Sequence, residues 1–290
     1  MDEFVLRISF SGLVFGFVFP EKISVPEEFQ PLLYEGDKKT DEEYRIILCD
    51  SLPCSENHIP VFSTDEMRIY ENEKGHLRVY GDGKSNFCAC FIGNSGKNEL
   101  YFLRESWNFY SSPFRVLHLI AGEKVLLRHS SFLLHSSVVT INNSSVLFCG
   151  ESGAGKSTQA ALWERYLSAE IINGDRCLVT KKDNCFYGGG SPWCGTSGIR
   201  KSASFPVAGI FIVEKSSYNE AVLLNSGAFL SLYKNCTVNT WDKSFVYNLT
   251  ELLSQLVSSV PVYKLYCRMD EEATKTAYKA LFGEKKRYEN

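Results

Sequence analysis

The sequence predicts an α/β protein in two parts: a β-rich N-terminal domain over residues 1–110, then a domain of mixed strands and helices over 111–290. Three observations predict it. Short segments of alternating apolar residues crowd the first hundred positions. Helix-period segments appear between strands only beyond about residue 112. At Val146–Thr158 an apolar strand runs into a glycine-rich turn that opens a helix.

The N-terminal elements follow in order. Phe4, Leu6, Ile8 and Phe10 alternate with more polar neighbours, and Leu13, Phe15, Phe17 and Phe19 resume the alternation after Ser11-Gly12. This reads as a hairpin with one buried face. Residues 26–41 are polar and contain proline, which predicts a loop or short helix. Met67–Tyr70 and Leu77–Tyr80 alternate around Asn72-Glu73-Lys74-Gly75, a second hairpin. Phe87–Ile92 and Leu100–Leu103 are further strands. Aromatic residues here suit strand faces and a core.

Ser112 is a plausible N-cap with Pro113 in the first turn, and Phe114, Leu117, Ala121 and Val125 recur at helical spacing, predicting a helix over 113–128 with strain at Gly122. A strand over 133–141 turns at Asn142-Asn143 into the strand that enters the glycine-rich loop. The helix over 156–168 is expected to place Ala160, Ala161, Leu162 and Trp163 on its apolar side. Ile171-Ile172 leads to the turn Asn173-Gly174-Asp175-Arg176 and a short strand over 177–180. Residues 188–195 are dense in turn formers and read as a loop. Strands are expected over 207–213 and 262–266, and helices over 249–257 and 271–281.

Composition excludes several classes. The apolar fraction of 44% and charged fraction of 22% are those of an ordinary soluble globular protein. A net charge of −3 argues against nucleic acid or an anionic membrane as partner. The chain opens Met1-Asp2-Glu3, acidic where a secretion signal is basic, so a cytoplasmic location is expected. Ten cysteines lack the close pairing of zinc sites and read as buried or inert thiols in a reducing compartment.

Gly150-Glu151-Ser152-Gly153-Ala154-Gly155-Lys156-Ser157 fits the G-x-x-x-x-G-K-[ST] pattern, followed by Thr158. Its glycines let the backbone close on a phosphate that a Cβ would obstruct. Lys156 is placed to meet the β/γ oxygens of a nucleoside triphosphate, Ser157 to offer a hydroxyl to Mg²⁺, and the following helix to present its positive end. Asp175 follows an apolar run, as a metal ligand or general base would, or as a loop aspartate bonding its own turn would. His135 precedes the loop; a lone histidine serves structure or catalysis. The chain carries no ABC-type signature, no guanine-reading N-K-x-D and no helicase motif, which disfavours transporters, GTPases and helicases.

The run Leu134–Val139, the turn, and Val146–Thr158 resemble the catalytic core of the HPr kinase/phosphorylase family and, more broadly, HPr-kinase-like proteins. The resemblance covers about residues 112–270 and implies the nucleotide-binding fold of ATP-dependent phosphoenolpyruvate carboxykinase. It implies ATP and Mg²⁺, and phosphoryl transfer to a hydroxyl: a serine of a peptide or protein, or a small molecule. It sets His135 at the offset of a family histidine and Gly174-Asp175-Arg176 on an Asp-Asp-Arg-like segment. Asp175 is then the second family aspartate, acting as base and sharing Mg²⁺ with Ser157, while Gly174 replaces the first. His135 would stand beside it and Lys156 would compensate phosphate charge. Residues 191–195 resemble a Pro-aromatic-x-Gly segment found at this place in relatives; Arg200 and Lys201 follow, as exposed loop cations or as groups facing phosphoryl oxygens. Relatives assemble, so a homo-oligomer is also implied. The rival readings are a carboxykinase-like reaction on a small carboxylic acid and an ATP-binding regulatory or recognition module without turnover.

Overall fold

The computed structural model describes residues 3–283 apart from 11, 26, 54–58, 73–74, 82–86, 95–96, 108–115 and 118. The chain divides into two compact units, Met1–Val125 and Leu126–Asn290. Each is built on a large mixed sheet, and no helix among the described residues is long and apolar enough to cross a membrane.

Unit 1 is an eight-stranded sheet. Its strands are β1 (Phe4–Phe10), β2 (Leu13–Phe19), β3 (Glu42–Cys49), β4 (Phe62–Ser63), β5 (Met67–Asn72), β6 (Gly75–Gly81), β7 (Phe87–Asn94) and β8 (Lys97–Leu103), in the order β1-β2-β3-β8-β7-β6-β5-β4. The expectation of one buried face holds for β1, where Leu6, Ile8 and Phe10 are buried, but not for β2, whose seven residues are all buried. β2 is an interior strand between β1 and β3, and its small-residue face is covered by the 40–41 segment: a Cβ on Gly16 would lie 2.7 Å from Thr40 Cγ2. Sequence reading missed β3, which pairs in parallel with both β2 and β8. Of the loop or short helix expected over 26–41, residues 27–32 form a short helix of 3-10 type.

The helix predicted over 113–128 is interrupted. Ser112, Pro113 and Phe114 lie outside the described residues, and the chain turns at Ala121, whose φ is 54°. Helix α1 (Gly122–Arg128) starts afresh, with the amides of Lys124 and Val125 on the Ala121 carbonyl. The break thus falls one residue before the glycine expected to carry the strain.

Unit 2 contains β9 (Ser131–Ile141), β10 (Ser144–Cys149), α2 (Lys156–Leu167), β11 (Glu170–Asn173), β12 (Arg176–Lys182), β13 (Cys185–Gly189), β14 (Ser204–Lys215), β15 (Glu220–Leu223), α3 (Ala228–Tyr233), α4 (Lys243–Ser259), β16 (Val262–Cys267) and α5 (Glu271–Phe282). β9 and β14 are long strands that serve two sets of partners. β9 pairs with β12 through residues 131–135 and with β10 through 136–141; β14 pairs with β13 through 204–206 and with β10 through 207–212. The strands β9, β12, β13, β14 and β10 therefore close on one another.

Side-chain alternation along β10 separates two cores. Leu147 and Cys149 join Leu249, Leu253 and Leu256 of α4 and Leu232 of α3. Val146 and Phe148 join Ala160 and Trp163 of α2 and Ala273 and Ala277 of α5. Helices thus cover both faces, the arrangement that a buried parallel β10–β14–β16 ladder requires. α4 and α5 begin at aspartate caps: Asp242 accepts from the Phe245 amide at 2.9 Å and Asp270 from Ala273 at 3.0 Å.

Two local expectations are corrected. On α2, Ala160 and Trp163 are buried but Ala161 is exposed, because consecutive residues of a helix cannot share one face. Gly188 and Gly189 belong to strand β13 rather than to a loop. These glycines give close approach: a Cβ on Gly188 would lie 2.7 Å from Ser145 Oγ, and one on neighbouring Gly190 1.8 Å from the Lys201 carbonyl.

Trp163 is fully buried and meets Phe148 edge-on at 5.5 Å between ring centroids. Its indole N–H has no hydrogen-bond partner among the described residues. Trp163→Ala is expected to cost about 3–5 kcal/mol in a denaturant titration. Trp163→Phe should cost clearly less, since no hydrogen bond is lost; equal losses would contradict this packing.

Candidate functional site

The site begins where β10 ends. Gly150, Gly153 and Gly155 adopt φ of 144°, 76° and 106°, conformations that an L side chain rarely accepts. Gly150 also needs space: a Cβ there would lie 2.9 Å from the Val213 carbonyl of β14. Gly155 is the N-cap of α2, so the helix starts with no side chain accepting from its first-turn amides. Lys156 is only 8% exposed, and its ammonium curls back on the loop, donating to the carbonyls of Gly150 at 2.9 Å and Glu151 at 3.1 Å. Burial lowers its pKa, partly opposed by the thiol of Cys149 and the carboxylate of Asp175. Glu151, Ser152, Gly153, Ser157 and Thr158 are exposed, with Ala154 and Gly155 half-buried.

Asp175 lies in the turn between β11 and β12, opposite the point where β9 passes from β12 to β10. The Ser136 amide donates to the Asp175 carbonyl at 2.8 Å, and Ser137 Oγ donates to the Gly174 carbonyl at 2.9 Å. His135 pairs with Arg176 across the β9–β12 ladder. Its Nδ1 sits 3.2 Å from Asp175 Oδ1, an ion-pair distance without the alignment of a hydrogen bond. Arg176 Nε lies 3.6 Å from Asp175 Oδ2, and its Nη1 donates to Thr237 Oγ1 at 2.9 Å. Burial and the nearby Lys156 ammonium lower the His135 pKa, while the Asp175 carboxylate raises it in opposition. The burial of His135 thus favours its neutral imidazole.

Of the residues singled out in the sequence, the fold brings His135, Asp175 and Lys156 within electrostatic reach of one another. Ser157 and Thr158 lie in the exposed first turn of α2. In the 191–195 segment, Gly195 backs directly onto Asp175, a Cβ there lying 2.8 Å from Asp175 Cβ. Arg200 is not an exposed loop cation: it is 7% exposed, and its backbone forms an antiparallel β-bridge with Asn173. Lys201 is held at the surface by Glu170 at 2.7 Å.

Gly174 has no room for a side chain as the turn stands. A Cβ there would lie 2.2 Å from Ser197 Oγ, and that hydroxyl is engaged with the Cys194 carbonyl at 2.7 Å. Three further residues escaped sequence reading. Asn235 accepts from the Gly150 amide at 3.3 Å and receives the His135 amide on its carbonyl at 2.7 Å. Thr237 holds Arg176. Met269 packs against Gly155, its Cε 2.4 Å from where a Cβ would stand. An asparagine just after a helix was the one available signal, and it marks a helix end as readily as a site.

The buried thiols of Cys149, Cys177 and Cys236 offer no reactive centre. Burial pushes Cys177 and Cys236 up to about 12 and Cys149 well above its ordinary value, so these thiols stay protonated. No group of three or more His, Cys, Asp or Glu among the described residues could hold a metal by itself.

No family model and no curated protein matches the chain. Among solved structures, the Hpr(Ser) kinase/phosphatase from Coxiella burnetii aligns over 51% of this chain and 95% of its own, at 11% identity and a TM-score of 0.28. A likeness at that level decides nothing about chemistry, which has to come from the side chains.

His135 is expected to titrate below its ordinary 6.5. An unfolded chain then takes up this proton first, so the contribution of His135 to stability falls as pH drops below about 6.5. Imidazole NMR titration should show Asp175→Asn lowering the pKa further and Lys156→Met raising it. Shifts of the opposite sign would refute the arrangement.

Proposed function

We propose that unit 2 binds ATP with Mg²⁺ on the 150–158 loop and transfers the γ-phosphoryl to a hydroxyl, as HPr-kinase-like proteins do. One observation carries this reading. A buried lysine is folded onto the carbonyls of a loop with three left-handed glycines, at the mouth of a helix whose N-cap offers no side chain. The loop thus collects positive charge and amide donors at one place, which an anion complements.

The residues present fit the expected groups. Lys156 compensates charge at the β/γ oxygens, and its lowered pKa reflects its burial. Ser157 and Asp175 are an alcohol and a carboxylate, hard oxygen donors that suit Mg²⁺ when phosphate oxygens and water complete the shell. When bound, Mg²⁺ draws charge from the β- and γ-phosphate oxygens. Asp175 takes the acceptor proton, and His135 stands beside it with its Nδ1 3.2 Å from the carboxylate. The acceptor is a serine of a peptide or protein, or a small alcohol, and the cytoplasm is the compartment consistent with free thiols.

A second reading is favoured by one feature. Ser197 fills the place beside Gly174 where another carboxylate would stand, which suits a nucleotide-binding recognition module without turnover.

Incubation with γ-labelled ATP and Mg²⁺ separates the two, using a panel of peptides, an HPr-type protein and free serine. Phosphoryl transfer predicts label on at least one acceptor. Asp175→Asn should lower that labelling by about 10²–10⁴-fold even at saturating Mg–ATP, whereas Lys156→Ala should lose nucleotide binding itself. Tight ATP binding with no acceptor labelled would overturn the transferase reading and support the module.

A further inference from the structure

We propose that Asn173 is the positioning residue for Asp175, tying the aspartate's turn to the 191–195 segment that walls its carboxylate. The inference rests on the role given to Asp175 above. Asn173 is fully buried, and its amide is used at both ends. Oδ1 accepts from the amides of Asp175 at 3.0 Å and Arg176 at 2.9 Å, and Nδ2 donates to the carbonyls of Ser191 at 3.1 Å and Trp193 at 3.2 Å. Two acceptor lone pairs and two donor hydrogens meet four partners, the full capacity of an asparagine side chain.

What these bonds hold is specific to the site. The acceptor end fixes the direction in which Asp175 leaves the turn, the geometry of an Asx-turn. The donor end fixes the segment that leads to Gly195, whose backbone stands against the Asp175 side chain. Ser191 adds a second tie between the two, its Oγ donating to the Arg176 carbonyl at 2.6 Å. From the other side, Ser136 and Ser137 of β9 hold the carbonyls of Asp175 and Gly174. The carboxylate is therefore set between β9 and the 191–195 segment, and the Asn173 side chain bonds to two amides of the turn and two carbonyls of that segment. An aspartate at 173 would keep the two acceptor bonds but turn an oxygen on two carbonyls. That asymmetry separates positioning of the turn from positioning of its wall.

Hydrogen exchange on the wild-type chain and affinities for ATP with and without Mg²⁺ test the proposal. In the wild type, the Asp175 and Arg176 amides should be protected. Asn173→Ala should lose that protection while β9 and β14 keep theirs, and should weaken Mg–ATP by roughly 10–100-fold with Mg-free ATP bound as before. Asn173→Asp should keep protection at 175 and 176 but lose it across 191–195. Should the alanine variant fail to fold, the wild-type amides and the aspartate variant decide. Fast exchange at 175 and 176 in the wild type would overturn the proposal, as would equal weakening of both ATP forms in a folded Asn173→Ala chain. If Asp175→Asn leaves Mg–ATP affinity unchanged, the metal role of Asp175 fails, and positioning is then judged by the exchange pattern alone.

Discussion

Strand β9 changes neighbours on both edges around residues 135–138, and the candidate site is built on that change. On one edge β11 gives way to β12, with the Asn173–Arg176 turn between them. On the other, β10 gives way to residues 235–237, which bond to Leu133 and His135. The glycine-rich loop leaves β10 at the same level, so loop, histidine and aspartate are held by one strand.

The electrostatics follow from that meeting. Two cations, Lys156 and Arg176, approach one carboxylate, while burial and the Lys156 charge lower the His135 pKa. The positive balance suits a polyphosphate. The same crowding limits the acidic side of the site. Gly174 and Gly195 carry no side chain, and the space by Gly174 is taken by Ser197, so Asp175 is the carboxylate of the turn. On the proposed transferase reading one carboxylate would serve both metal and proton work, which is why its setting by Asn173 matters.

Much of the fold was legible because its signals are local. The hairpins at residues 4–19 and 67–81 and the strand–loop–helix at 144–167 announce themselves by alternation or turn residues within a few positions. Where reading failed, the deciding contact was distant. Gly188 and Gly189 looked like turn residues, yet they serve a strand that packs against Ser145, Leu147 and Ser204. β3 was missed because its parallel partners lie on either side of it in the sheet, joined by no hairpin turn. The helix near residue 121 breaks at an alanine, where propensity alone predicts continuation.

By itself, the sequence determined the loop: glycines at left-handed positions, a lysine opening a helix, and a strand before them are short-range properties of backbone sterics and spacing. It also named His135 and Asp175 as candidates. Only the tertiary structure decided that these two stand 3.2 Å apart, that Ser197 occupies the room beside Gly174, and that Asn235, 85 residues from Gly150, caps its amide. Those outcomes depend on which strands become neighbours when the sheet closes, and pairing between distant segments leaves no trace in the local pattern of either.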